Sequence, residues 1–303
     1  MALSPNVRSC IFMMLAMASF TANDSITKFL SESMNTGQIM LLRGALATAV
    51  ILIIAMQRKA VIPLRKTLHP MILLRAVGEM GATITYLVAL VHLSLAFTSA
   101  VFQSVPLAVT MCAAIFLKEQ VGWRRWLAIT TGFVGVLIIV RPGADGINPY
   151  AAMLLVGVAF TACRDLATRR VPDTIPTLMI SALTSSAITL TGAALIVPMG
   201  GWSLVGWGEA GLLMVAAILL LIGYHFIILA MREGEISFVS PFRYTSLLWA
   251  ILLGFLIFGD IPDLPMIIGS AIVVLSGIYM LYRESVVSRR SRGELTQSHG
   301  KDG

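Results

Sequence analysis

Charge is what this chain has least of. Only 12% of its 303 residues are Asp, Glu, Lys or Arg, against 57% hydrophobic, and the mean hydropathy is +0.88. A soluble domain carries roughly 25% charged residues. No half of the chain is polar enough to fold separately in water, and only the last ~20 residues read as a soluble tail. Strict alternation of apolar and polar residues is also missing, which excludes a membrane barrel. Cysteine is scarce: Cys10, Cys112 and Cys163 are odd in number, lie within apolar runs and form no CxxC pair. They exclude a disulfide framework and read as packing residues. The four histidines, His69, His92, His225 and His299, are too scattered for clustered metal ligation. There is no GxSxG, no HExxH and no P-loop, so no serine hydrolase, zinc protease or ATPase is written here. The expectation is a non-enzyme with no metal and no cofactor. No A-x-A-like cleavage site follows the first apolar run, which is expected to stay as a span rather than leave as a signal peptide.

What the chain does have is long apolar runs. Ten are legible, near 9–30, 37–56, 70–92, 96–117, 124–140, 149–168, 175–198, 209–230, 236–258 and 263–282. Most reach the ~20 residues that cross a hydrocarbon core as helix. The reading is an all-α membrane protein of ten transmembrane helices. Basic loop residues fall on one side of that pattern: Arg8, Arg58, Lys59, Arg65, Lys66, Lys118, Arg124, Arg125, Arg169, Arg170, Arg232 and the tail from Arg283, with Arg141 alone on the other. By the positive-inside rule both termini are expected in the cytoplasm. This asymmetry accounts for the +7 net charge without a nucleic-acid partner. The basic tail is a topology signal first, with contact to anionic lipid a second use.

The chain also repeats itself. FTANDSITKFLS at 20–31 is echoed by FTACRDLATRRV at 160–171, and AFTS at 96–99 by SFVS at 237–240. FLKEQVGWRRWLAITTGFVGVLII runs parallel to FLIFGDIPDLPMIIGSAIVVLSGIYML. Each half holds five spans. Five is odd, so the second half enters the membrane from the opposite side, giving two inverted five-helix repeats at 1–143 and 144–284 followed by a basic tail at 285–303. Inverted repeats are a design of secondary transporters, in which two similar halves rock about a midplane site. The alternative is a duplicated membrane scaffold that transports nothing.

Polar residues inside the spans are the candidates for that site, because each is costly in lipid unless paired or turned towards a cavity. Asp24 and Arg164 occupy equivalent positions in spans one and six. The pseudo-two-fold axis is expected to bring those spans together, so the two should pair or share a site, with Asp165 competing for Arg164. Arg75 and Glu79 lie four apart on one face of span three and read as an ion pair of their own or as part of the site. Arg43 and Lys28 lie near one membrane surface, where snorkelling competes with ligand contact. Gln103, Arg243 and Tyr244 sit at matching depths in spans four and nine. His225 and Tyr224 are mid-depth in span eight, where a histidine is either a helix–helix hydrogen bonder or a proton carrier. Tyr86 and Trp249 either pack or stack on a planar ligand. Five cations against three carboxylates within the spans hint at an anionic or carbonyl-rich substrate. Pro106 and Pro241 should kink spans four and nine. Gly132, Gly135, Gly269 and Gly277 allow close helix approach, within the chain or across a homodimer face.

Taken together, several stretches carry a family resemblance: AND…K in span one, Q…LLRG at 38–44, FLKEQVGWRRWLAITTGFVGVLIIVRPG at 116–143, RDLATRR at 164–170, SPFRYTSLLWAILLGFLIFGD at 240–260 and the closing GIYMLYRE. Along its whole length the chain resembles the EamA family of the drug/metabolite transporter superfamily. The resemblance implies a central cavity lined by the first four helices of each half, a small-metabolite substrate moved across the cytoplasmic membrane of a bacterium, and drive by ion gradients or exchange. The AND…K and RD…TRR patterns are similar to the subgroup of riboflavin and S-adenosylmethionine importers. Riboflavin is the favoured substrate, with Tyr86, Tyr244 and Trp249 for stacking and Gln103 and Arg243 for its carbonyls. S-adenosylmethionine, an amino acid or export of another metabolite are the alternatives.

Overall fold

The computed structural model describes residues 5–58, 63, 69–143, 148–172, 174–233 and 236–299, with side chains left undescribed at 232–237 and beyond 283. The helices are α1 (Pro5–Leu30), α2 (Thr36–Gln57), α3 (Pro70–His92), α4 (Leu95–Phe102), α5 (Val105–Phe116), α6 (Trp123–Val140), α7 (Pro149–Arg169), α8 (Thr177–Leu195), α9 (Trp207–Glu233), α10 (Ile236–Val239), α11 (Thr245–Phe258) and α12 (Leu264–His299). Local chemistry sets many of the starts. Asn35, His69, Ser94 and Asn148 each accept a hydrogen bond from a first-turn N–H, and Pro70 and Pro149 occupy first-turn positions where no N–H is needed. Ten helical segments are long and apolar enough to cross a membrane, and they coincide with the ten runs to within four residues at each end. The backbone of the tenth continues as helix through the basic tail to His299.

Spans four and nine are broken rather than merely kinked. Span four is interrupted at Gln103 and Ser104, with Pro106 in the first turn of α5; span nine passes through a 3₁₀ turn at Ser240–Tyr244 that contains Pro241. Proline has no N–H to give and clashes with the carbonyl four residues back, so each helix restarts.

Packing follows the internal symmetry. The shift of about 141 residues maps span one onto six and three onto eight. Accordingly α1 packs along α9 and α7 packs along α3, while α2 lies on α8, α6 on α12 and α4 on α11. The repeated FTA explains itself here. A Cβ added at Gly223 would lie 2.6 Å from the Phe20 ring, and one at Gly81 2.7 Å from the Phe160 ring, so each repeated phenylalanine docks on a bare glycine of the other half. Thr21 and Thr161 each donate to the carbonyl four residues back, at 2.9 and 2.8 Å. The axis itself is marked by residues that meet their own counterparts: the Thr48 and Thr189 hydroxyl oxygens, 141 positions apart, lie 3.3 Å from each other.

Large apolar side chains are exposed along the outer flanks of the helices, as lipid-facing surfaces require. Trp123 and Trp126 stand near one surface and Trp202 and Trp207 near the other, as interfacial tryptophans do. Below, the near face is the end where the chain starts and the far face is the opposite one. The three cysteines are unbonded and sit among packed side chains.

Candidate functional site

Two polar clusters lie inside the bundle, one above the other along α3. The first is nearer the far face. On α1 the hydroxyls of Thr21, Ser25 and Thr27 donate to carbonyls one turn back, which leaves Asn23 and Asp24 as the groups that seek partners. Asn23 is 2% exposed, and its amide donates to Asp24 Oδ1 at 3.1 Å. The Tyr86 hydroxyl donates to Asp24 Oδ2 at 2.6 Å. Arg43 Nη1 donates to Asn23 Oδ1 at 3.4 Å and to Thr27 Oγ1 at 3.2 Å. Asp24 is thus held from α1 and α3, and Arg43 of α2 joins the cluster through Asn23 and Thr27.

The second cluster is nearer the near face. Arg164 Nη1 donates to both oxygens of Glu79, at 3.3 and 3.2 Å, and Arg164 Nε donates to Asp165 Oδ1 at 2.8 Å. Arg75 Nη1 donates to Thr168 Oγ1, which itself donates to the Arg164 carbonyl. Arg75 Nε is shielded from water and has no hydrogen-bond partner.

One expected pair is corrected, and one open alternative is decided. Asp24 does not pair with Arg164: Asp24 takes Tyr86 and Asn23, and Arg164 takes Glu79 and Asp165. The reason is depth. An axis lying in the membrane plane sends a residue above the midplane to a mate below it. Each of the two lies about five residues from the middle of its span, which at 1.5 Å per residue separates them by about 15 Å in depth. The first and sixth spans also face different partners, α9 and α3. Nor do Arg75 and Glu79 keep to themselves; both reach across to α7, where Thr168 and Arg164 offer partners on the facing helix.

Tyr224 of α9 lies between the clusters. Its ring meets Phe20 edge-on at 5.3 Å, and it stands within electrostatic reach of Glu79, Arg43, Arg164 and Arg75. Arg243 is within reach of Asp165 and Arg164. Tyr224 is 51% exposed, and the side chains of Asp165 and Arg164 are 37% and 26% exposed, so these polar groups inside the bundle are only partly covered by protein. An arrangement of this kind can hold a small polar molecule between fixed donors and acceptors at two depths.

Four other candidates are placed elsewhere. Gln103 Nε2 donates to Ser246 Oγ at 2.6 Å and to the Tyr244 carbonyl at 3.4 Å, tying the breaks of spans four and nine to each other. Tyr244 is 6% exposed, with its hydroxyl against Gly277. Trp249 packs beside Cys10 and Met13. His225 is exposed, about 100° round α9 from Tyr224, and its ring contact is with Phe226. Asn23 and Thr27 escaped the sequence reading. Their spacing of four places them on one helical face, and that is the signal that would have found them.

The chain matches the EamA-like transporter family over residues 7–141 and 148–283. It is 32% identical over 197 residues to the riboflavin transporter of Vibrio cholerae serotype O1, a match spanning 64% of each chain. Identity to the S-adenosylmethionine uptake transporter of Rickettsia conorii is 24% over 279 residues, covering 91% of this chain and 93% of that one. Identity to the pseudopaline exporter CntI of Pseudomonas aeruginosa is 27% over 272 residues, covering 87% and 92%. A solved structure titled "Crystal structure of protein" superposes with a TM-score of 0.60 at 16% identity, over 90% of this chain and 96% of that one, and shares the fold. With ten spans in two inverted halves and a family match across both, this chain belongs to the EamA-like transporter family.

Proposed function

We propose that this protein carries a small metabolite across a bacterial cytoplasmic membrane by alternating access, that both its termini are cytoplasmic, and that riboflavin uptake is its activity. The observation that carries the reading is the convergence on one aromatic side chain, Tyr224, of Arg43, Arg75, Arg164 and Glu79 from three other helices. Along α3, Glu79 and Tyr86 are seven residues apart, about 10 Å at 1.5 Å per residue. The two clusters therefore suit an elongated ligand with hydrogen-bonding groups at both ends and a flat middle for Tyr224. A flavin has that form.

Charge separates the candidate substrates. Arg43, Arg75, Arg164 and Arg243 outnumber Asp24, Glu79 and Asp165, and Arg75 Nε still has a proton to donate. Such a site favours a neutral or anionic ligand rich in acceptors. S-adenosylmethionine carries a fixed sulfonium charge and fits this balance less well. It stays as the second reading because the match to its transporter spans 91% of the chain.

The test is growth of a riboflavin-auxotrophic bacterium lacking its own importer, at low external riboflavin, with membrane expression checked on a blot. Rescue that disappears with Arg164→Ala supports riboflavin uptake through this site. No rescue, with the protein present in the membrane, overturns the riboflavin reading and moves the assay to S-adenosylmethionine uptake and to export.

A further inference from the structure

At the near face the start of α6 and the end of span ten in α12 enclose a cavity of about 640 Å³, whose lining includes Gln120, Gly122, Trp123, Arg124, Arg125 and Arg283. None of these residues belongs to either polar cluster along α3. A topology signal needs only basic residues that face water on the correct side. These three arginines come from two helices and converge on one hollow. Arg125 and Arg283 are half-buried. Arg124 is exposed, and its guanidinium stands 5.3 Å from the centroid of the Trp123 ring.

Like charges gathered in this way repel unless an anion joins them. Among the described residues the protein supplies none: no carboxylate forms an ion pair with Arg124, Arg125 or Arg283. Glu119, the acidic residue of the preceding loop, turns instead to Arg169 of α7, 3.6 Å away. The first turn of α6 adds partial positive charge of its own. Its cap is Gly122, which has no side chain to accept from that turn, and a Cβ built there would meet nothing within 4 Å.

The surroundings of the cavity point to a lipid rather than a free anion. Trp123 and Trp126 stand beside it, 71% and 39% exposed, as tryptophans at a membrane surface do. From there an exposed apolar row runs into the membrane on each helix, Leu127, Val134 and Leu137 on α6 and Leu275 and Tyr279 on α12. Spacings of three, four and seven keep each row on one helical face. Acyl chains can lie along these rows while a phosphate sits among the arginines. We propose that this cavity binds the phosphate of an anionic phospholipid, seated across the seam between the closing helices of the two halves. Arginine forks donate paired hydrogen bonds to phosphate oxygens. A zwitterionic headgroup brings a cation of its own into the same cavity and is disfavoured. The proposal is independent of the substrate carried.

One basic side chain at a membrane surface favours an anionic lipid about fivefold. In the test, the full-length protein in detergent micelles is given equal amounts of phosphatidylglycerol and phosphatidylcholine with the same acyl chains. The lipids it retains are read by mass spectrometry of the intact complex. One phosphatidylglycerol should be retained at least fivefold over phosphatidylcholine. Arg125→Gln and Arg283→Gln should each lower that preference at least threefold, and Arg125→Lys, which keeps the charge, should lower it less. Arg169→Gln removes a near-face charge outside the cavity and should leave the preference unchanged. Phosphatidylglycerol should also raise the melting temperature of the unaltered protein more than that of Arg125→Gln. Equal retention of the two lipids overturns the site. So does an equal loss of preference with Arg169→Gln, since surface charge alone then attracts the lipid. Release of phosphatidylglycerol by inorganic phosphate assigns the cavity to a free anion and overturns the lipid reading.

Discussion

Arg164 is the residue on which the near-face cluster depends. It holds Glu79 and Asp165 at once, and its side chain is only 26% exposed. Replacing it by alanine strands two carboxylates inside the bundle. A fully buried pair broken in this way costs about 3–5 kcal/mol; with the partial exposure here a loss of about 2 kcal/mol is expected, along with at least a tenfold fall in uptake, measured by detergent melting and by radiolabelled uptake. Arg164→Lys keeps the charge but loses the fork and should recover stability better than transport. Tyr86→Phe removes the donor to Asp24 and should raise the half-saturating substrate concentration several-fold with little change in folding. At the far face Asp263 behaves differently. The Arg141 guanidinium and then the Met266 N–H donate to it, and they hold its carboxyl below the usual aspartate range. A lowered folded value contributes stability above the ordinary pKa, and that contribution is lost as pH falls through the folded value. Acid below about pH 4 should therefore loosen the start of α12, and Asp263→Asn should remove that pH response; hydrogen exchange of the Met266 amide reads both.

Between elements, stability rests on close approach rather than on polar glue. The Tyr244 hydroxyl is buried, has no partner and sits 1.7 Å from where a Cβ of Gly277 would be. Gly277→Ala must push α12 off the break in span nine, at a cost of about 1–3 kcal/mol. Tyr244→Phe removes an unsatisfied group and should be neutral or stabilising, and it should rescue Gly277→Ala in a double-mutant cycle. A fall in uptake for Tyr244→Phe at unchanged melting would instead place its hydroxyl on the substrate. The Gly81–Phe160 and Gly223–Phe20 contacts make a matched prediction. Gly81→Val and Gly223→Val should lower melting by similar amounts, because the same contact is broken in each half. The existence of the helices was legible from run length, and from Pro106 and Pro241 that spans four and nine depart from straight helix, though as kinks rather than the breaks observed. That Gln103 would bind Ser246 and the Tyr244 backbone was not, because the sequence does not say which residues of two broken helices meet across an axis.

For the molecule as a whole, the lopsided basic loops predict that reporter fusions at either terminus will signal a cytoplasmic location. Uptake should saturate with substrate and collapse when the driving gradient is removed, whereas an open pore would pass substrate nearly linearly. Composition, run length and the echo at 140–141 residues determined that this protein is helical, embedded, ten-spanning and inverted, because each of those properties is written in residues close together in sequence or in a repeat visible by eye. Only the tertiary structure decided the partners. Asp24 and Arg164 look like a pair in the sequence, because equivalence in the repeat resembles proximity. An axis in the membrane plane turns equivalence into opposite depth, so each charge finds its partner on α3 instead, Asp24 at Tyr86 and Arg164 at Glu79.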